Sequence, residues 1–149
     1  MRRITSFALA VALALAADVL PAGAQANGVA GTWRVTWDSG VRTEGTRVLE
    51  VTRRSTATLV LELRGDSLAG TWTMDQEPER HVPVRGVLRG DSLMFVSAPW
   101  GMAVGGGEMP VHITGSGRAR DGRLQGTLRL HLPGREPPLR RWEAVSAGG

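Results

Sequence analysis

The chain contains no cysteine, no lysine and no tyrosine. Without cysteine there is no disulfide staple, no thiolate nucleophile and no sulfur ligand for a metal, so the fold must stand on its apolar core. Without lysine there is no Schiff-base chemistry and no lysine-dependent phosphate loop, which removes Gly105-Gly106-Gly107 as a nucleotide cradle. All 18 basic residues are therefore arginine. They are interleaved with Asp and Glu along the whole chain, whereas a nucleic-acid groove would cluster them; no nucleic-acid partner is expected.

Long apolar runs are also missing, apart from one at the start. Arg2 and Arg3 precede the run Ile4 to Ala17, a break follows at Asp18 to Pro21, and Ala22-Gly23-Ala24 offers a small-x-small cleavage site. This is the layout of a signal peptide over residues 1–24. The run falls short of the roughly 20 apolar residues that cross a bilayer, although an uncleaved anchor is the competing reading. Cleavage would leave residues 25–149 as one domain, secreted or periplasmic, with no membrane span. Losing Arg2, Arg3 and Asp18 lowers the formal charge from +4 to +3. A domain of about 125 residues buries roughly two-thirds of its unfolded surface, enough to fold without staples.

What is abundant is alternation. Three segments share one layout, an alternating strand, a two-residue turn and a second alternating strand, with turns at Gly65-Asp66, Gly90-Asp91 and Asp121-Gly122. Gly at the first central position suits a type II′ turn, and Asp-Gly suits type I′. A two-residue turn dictates which residues face one another. In the first hairpin Leu63 faces Leu68, Leu61 faces Gly70, Leu59 faces Trp72 and Ala57 faces Met74. The second sets Leu88 opposite Leu93, Gly86 opposite Phe95 and Val84 opposite Ser97. The third sets Gly117 opposite Gly126, Gly115 opposite Leu128, Ile113 opposite Leu130 and Val111 opposite Leu132. In each, the apolar set switches between odd and even positions across the turn, as a buried face requires.

Weaker strands flank these. Trp33, Val35 and Trp37 alternate with Thr32, Arg34 and Thr36; Leu49 and Val51 lie in a less regular run; Trp142 and Ala144 alternate with Arg141 and Glu143. The sum is an all-β chain of about eight or nine short strands. Hairpin after hairpin predicts a single antiparallel up-and-down barrel whose terminal strands pair and remove the open edges. Inward glycines at 70, 86, 115, 117 and 126 provide bending points and interior room.

Gly31-Thr32-Trp33 at the first strand, with Leu68-Ala69-Gly70-Thr71-Trp72 and Leu124-Gln125-Gly126-Thr127 after turns, resembles the calycin group: lipocalins, fatty-acid-binding proteins and avidin-like barrels. The Gly-x-Trp start is similar to lipocalins and the repeated Leu-x-Gly-Thr to avidin-like chains. The chain departs from lipocalins in showing no helix after the signal peptide, so no family ligand residues carry over. The resemblance implies enclosure of a small molecule, or blocking of a partner protein.

Candidate chemistry is thin. Gly65-Asp66-Ser67-Leu68 and Gly90-Asp91-Ser92-Leu93 spell a lipase/esterase signature, but both fall on hairpin turns and no Asp-x-x-His accompanies them. The third register sets His112 opposite His131 on the outer face, close enough to share a metal, yet zinc wants three or four ligands and His81 cannot be placed beside them. None of the residues assigned inward is Asp, Glu, His, Arg or Lys, so a general acid or base would have to sit on the rim. No catalytic residue, metal ligand or cofactor is assigned, and the chain is not expected to be an enzyme.

Trp37, Trp72, Trp142 and Phe95 remain as walls of an interior pocket, in direct competition with a packed core. Trp33 is expected to plug the closed end. The segment Ala98 to Met109, with Pro99, Trp100 and three glycines, reads as a lid or binding loop in which Trp100 closes over a ligand or docks a partner; a flexible linker is the bland alternative. The expected function is binding a small apolar or aromatic molecule inside. The alternatives are a protein-binding or inhibitory module with a filled core, and an envelope structural protein without a specific ligand.

Overall fold

The computed structural model describes residues 28–148, so the signal-like segment and its cleavage site lie outside the described residues. The described chain is all-β: β1 (Gly31–Glu44), β2 (Arg47–Arg64), β3 (Ser67–Met74), β4 (Val82–Arg89), β5 (Ser92–Ser97), β6 (Trp100–Val104), β7 (Gly107–Arg120), β8 (Arg123–His131) and β9 (Arg140–Ser146). Every pairing is antiparallel. Apart from β5 and β6, sequence neighbours are sheet neighbours, and the β1–β9 and β5–β7 pairings close the barrel. The closed ring therefore has no edge along most of its circumference.

The three hairpin registers are those that the turns dictate. Leu61 faces Gly70 and Leu59 faces Trp72; Gly86 faces Phe95 and Val84 faces Ser97; Gly117 faces Gly126 and His112 faces His131. The turn conformations agree as well. φ is positive at Gly65 (63°) and Gly90 (63°), and at both Asp121 (51°) and Gly122 (70°) in the third turn. One expected pair is absent: the third ladder stops at His112 and His131, because the chain turns at Pro133-Gly134 and Leu132 bridges to Arg135 instead.

Ala98 to Met109 is not a loop. β5 lies along β7 from Ser92 to Val96, and β6 continues along the same strand from Trp100 to Val104, with Gly105-Gly106 as a further two-residue turn. Between them β5–β6 advances one residue more than β7, which places a bulge at Ala98-Pro99. Proline is tolerated there because a bulge has no ladder bond for its missing N–H to break. The bulge leaves Ile113 N–H facing Ser97, whose Oγ accepts it at 2.8 Å. Counted this way, the barrel has eight strands, with β6 as the extension of β5.

Leu49 and Val51 belong to β2, whose first half pairs with β1 through register shifts at Gly40. A side chain at 40 would meet Arg53 Cβ at 2.7 Å, so glycine permits the bend. The tight turns at 65–66, 90–91 and 121–122 gather at one end of the barrel, the turn end, by simple alternation of strand direction. Val29 and Trp33 plug that end, Trp33 Nε1 donating to Val29 O at 2.8 Å. The loop end holds residues 75–81, 132–139 and the tips of the β1–β2 and β6–β7 hairpins.

The interior is occupied by aromatic rings in a row. Trp37 lies 5.4 Å from Trp72, Trp72 6.2 Å from Phe95 and Phe95 5.8 Å from Trp142, centroid to centroid. At Gly115 and Gly117 the room left by glycine is taken up by this row. A Cβ at Gly115 would fall 2.2 Å from the Phe95 ring, and one at Gly117 would fall 2.8 Å from Trp142. Trp100 is buried among these core residues on β6, opposite Val111, rather than carried on a loop.

Candidate functional site

Outward residues on neighbouring strands stand directly opposite one another, so the barrel wall is ruled by rows that run across strands. One row passes Met94, Ser116, Thr127 and Arg141, then reaches Asp38 and Arg54. The next passes Ser92, Arg118, Gln125, Glu143 and Thr36. Between them runs an inward row of Leu93, Gly117, Gly126 and Trp142. Two adjacent glycines let the wall sink toward the Trp142 ring, whose Nε1 donates to Ser116 O at 3.1 Å and Thr127 O at 3.2 Å. The result is a groove of about 730 Å³ on the outer face, flanked by the two rows and floored by the inward one.

Strands tilt against a barrel axis, so a row perpendicular to them spirals. The groove starts near the turn end at β5 and reaches the loop end at β2. Five strand spacings of about 4.8 Å make it about 24 Å long, the span of about seven extended residues. Its β5 end is apolar: Met94 is 62% exposed and stands beside exposed Val87 and Val96. Its centre is hydroxyl and amide. Its far end is charged.

That charged end is built around Asp38, buried on the wall at the start of the β1 bend. Arg54 Nε lies 3.4 Å and Arg141 Nε 3.8 Å from its two carboxylate oxygens. Both arginines remain mostly exposed, so their charge is open to a ligand. A third arginine, Arg140, also interacts with Asp38 and is half-buried; desolvation holds its guanidinium below the usual arginine value. Its Nη1 donates to Ser39 O at 3.0 Å, but its Nε is buried with no acceptor. Beside it, a second pocket of about 280 Å³ lies between the β1–β2 hairpin and Leu139–Arg141, sharing Asp38 and Arg141 with the groove.

The residues expected to line a pocket are brought together, but as a packed stack. Trp72, Phe95, Trp142 and Trp100 are buried and Trp37 packs against them; of the five, only Trp142 touches the groove, from beneath. The His112 and His131 rings stack in parallel, 4.4 Å apart and 4° from coplanar, with His131 Nε2 hydrogen-bonded to Thr114 Oγ1 at 2.7 Å. His81 instead bonds Thr73. Sequence reasoning missed the arginine cluster. Arg140 continues the alternation of Trp142 and Ala144, and that alternation is the signal that places it on their side of β9. Arg54 and Arg141 meet at Asp38 only through the β1–β9 closure.

Among the described residues no helix is long and apolar enough to cross a membrane. The eight-stranded meander is compatible with a calycin-like barrel. Comparisons with protein-family models, curated proteins and solved structures gave no match.

Proposed function

We propose that this chain is an exported, non-catalytic binding module whose outer groove receives an extended acidic segment of another exported protein. Export rests on the basic, apolar and small-residue pattern of residues 1–24. The observation that carries the docking reading is the placement of space: aromatic rings fill the barrel, while a groove of about 730 Å³ lies on its wall. Charge selects the occupant. Arg54, Arg118 and Arg141 line the groove against Asp38 and Glu143, and Arg118 is in no ion pair among the described residues. An acidic strand with apolar residues at the Met94 end complements that surface.

The test uses a synthetic octapeptide of alternating Glu and Leu against its Lys-Leu counterpart, followed by calorimetry and by amide chemical shifts. Saturable binding of the acidic peptide is expected, weakened by Arg118→Glu and by 0.5 M salt, with shifts along both rows; about 0.5 M salt screens exposed charges within a few ångströms. Equal binding of the basic peptide, or none of the acidic one, would overturn the reading.

One observation favours carriage of a small apolar or aromatic molecule inside, as the likeness to calycins implies. Trp72 Nε1 is buried with no acceptor, a cost of about 1–3 kcal/mol that a ligand oxygen would remove. Native mass spectrometry of the mature chain separates the two readings: a retained small molecule, with shifts on inward residues, supports carriage.

A further inference from the structure

The groove does not stop at Arg54. Asp38 and Arg141 line both it and the 280 Å³ pocket beyond, so the two lie side by side across that ion pair. The pocket differs in character from the groove. Val41, Val51, Leu49 and Leu139 form its apolar walls, with Leu49 and Leu139 each 47% exposed. Its acidic member Glu50 is already paired with Arg42 at 3.1 Å. At its mouth stand Arg140 and Arg141 beside the single carboxylate of Asp38, one positive charge in excess.

A partly buried guanidinium is costly: Asp38 offsets part of the Arg140 charge and Ser39 O takes one N–H, but its Nε has no acceptor in the protein. An anion at the mouth would relieve it. The volume lies at the low end of ligand pockets and suits one large apolar side chain rather than a further stretch of peptide.

We propose that the groove recognises a chain end: the partner's C-terminal α-carboxylate is held by Arg140 and Arg141, and its last, apolar side chain fills the pocket of Val41, Val51, Leu49 and Leu139. This rests on the groove reading and sharpens it, from an acidic segment to an acidic segment that ends in Leu, Phe or a similar residue. The carboxylate accepts charge-assisted hydrogen bonds that an amide or an internal peptide bond cannot match.

The experiment compares three synthetic peptides of one acidic sequence: one ending in Leu with a free carboxylate, the same with a C-terminal amide, and one ending in Ser with a free carboxylate. Each is titrated calorimetrically into the wild-type chain, Arg140→Gln and Leu139→Asp. Amidation is expected to weaken wild-type binding by about ten- to a hundredfold, the range of a lost hydrogen bond to a charged group. In Arg140→Gln the amide penalty should shrink to near unity. In Leu139→Asp, an exposed position whose change leaves the core untouched, the preference for Leu over Ser should vanish. If Arg140→Gln does not fold, Leu139→Asp with the amide comparison in the wild type decides alone. Equal wild-type affinity for the free and amidated peptides overturns the chain-end proposal while the groove reading stands. No binding of any of the three overturns both.

Discussion

At the scale of single residues, side-chain volume and local desolvation set the behaviour of this barrel. Gly115 and Phe95 are opposed across β5 and β7, and the ring occupies the place where a Cβ would be. Bulk missing from one strand is supplied by its neighbour, which is how a narrow barrel accommodates a row of indoles. The outer face shows the same local control over charge. His131 is held below its ordinary value, first by desolvation, then by His112 and by Arg129. A depressed histidine means that the unfolded chain takes up the proton before the folded one does. Stability is then complete above the unfolded value of about 6.5 and falls as the pH drops below it toward the lower folded value. His131→Gln should flatten this part of the profile, measured as urea midpoints at pH 7.5 and at pH 5; an unchanged difference between the two would place the effect elsewhere. Asp75 acts in a separate window. Its carboxylate is lowered first by the hydrogen bond from Arg34 and then by that from Thr56, so its contribution holds above its ordinary 3.8 and is lost as the pH falls through the lower folded value. The midpoint comparison between pH 7.5 and 5 therefore reports on His131 without interference from Asp75.

At the scale of elements, the informative place is the break between β5 and β6. Ala98 N–H still donates to Pro83 O at 2.7 Å, so the strand keeps its β4 partner while it slips one residue against β7. Ser97 is almost fully buried and its Oγ accepts from Ile113 N–H at the slip. Ser97→Ala should cost about 1–3 kcal/mol, the penalty for a buried donor left unpaired, and should speed amide exchange at Ile113 before that of its neighbours. Unchanged exchange there would show that the ladder repairs itself without Ser97. This break also marks the boundary of what the sequence discloses. Two-residue turns make the register of three hairpins legible, because one slip would turn Leu59, Phe95 or Ile113 to solvent. Pro99 and three glycines hide a fourth hairpin, since their turn chemistry is equally that of a loop. The groove is hidden for another reason: its rows cross six strands. Asp38 and Arg141 come together only when β1 closes on β9, a pairing that no local pattern encodes. The exposed edge of β2 from Arg47 to Ser55, which extends past β3, is legible in function if not in place. Arg47, Glu50, Arg53 and Arg54 are the charges that protect a free edge from pairing with another chain.

At the scale of the whole molecule, the closing strand holds both the barrel and the site. β9 pairs with β1 on one side and β8 on the other. It places Trp142 as the last ring of the interior row and as the support beneath the groove. It also carries Arg140 and Arg141 to the charged end. Removing it would strip two ladders, take Trp142 and Ala144 from the core, and leave the carbonyls of Ser116 and Thr127 without the indole donor. Deleting one large core aromatic alone costs about 3–5 kcal/mol, against a total stability of about 5–15 kcal/mol for a domain of this kind. A chain ending at Pro138 should therefore show no cooperative thermal transition and should associate through the exposed edges of β1 and β8. A synthetic peptide of residues 139–148, added in equal amount, should restore the transition together with the near-ultraviolet signal of a packed tryptophan core. Restoration by the wild-type peptide and not by one carrying Trp142→Ala would show that the indole row, rather than strand pairing alone, drives closure. A cooperative transition at the same midpoint without β9 would mean that the remaining strands close on one another.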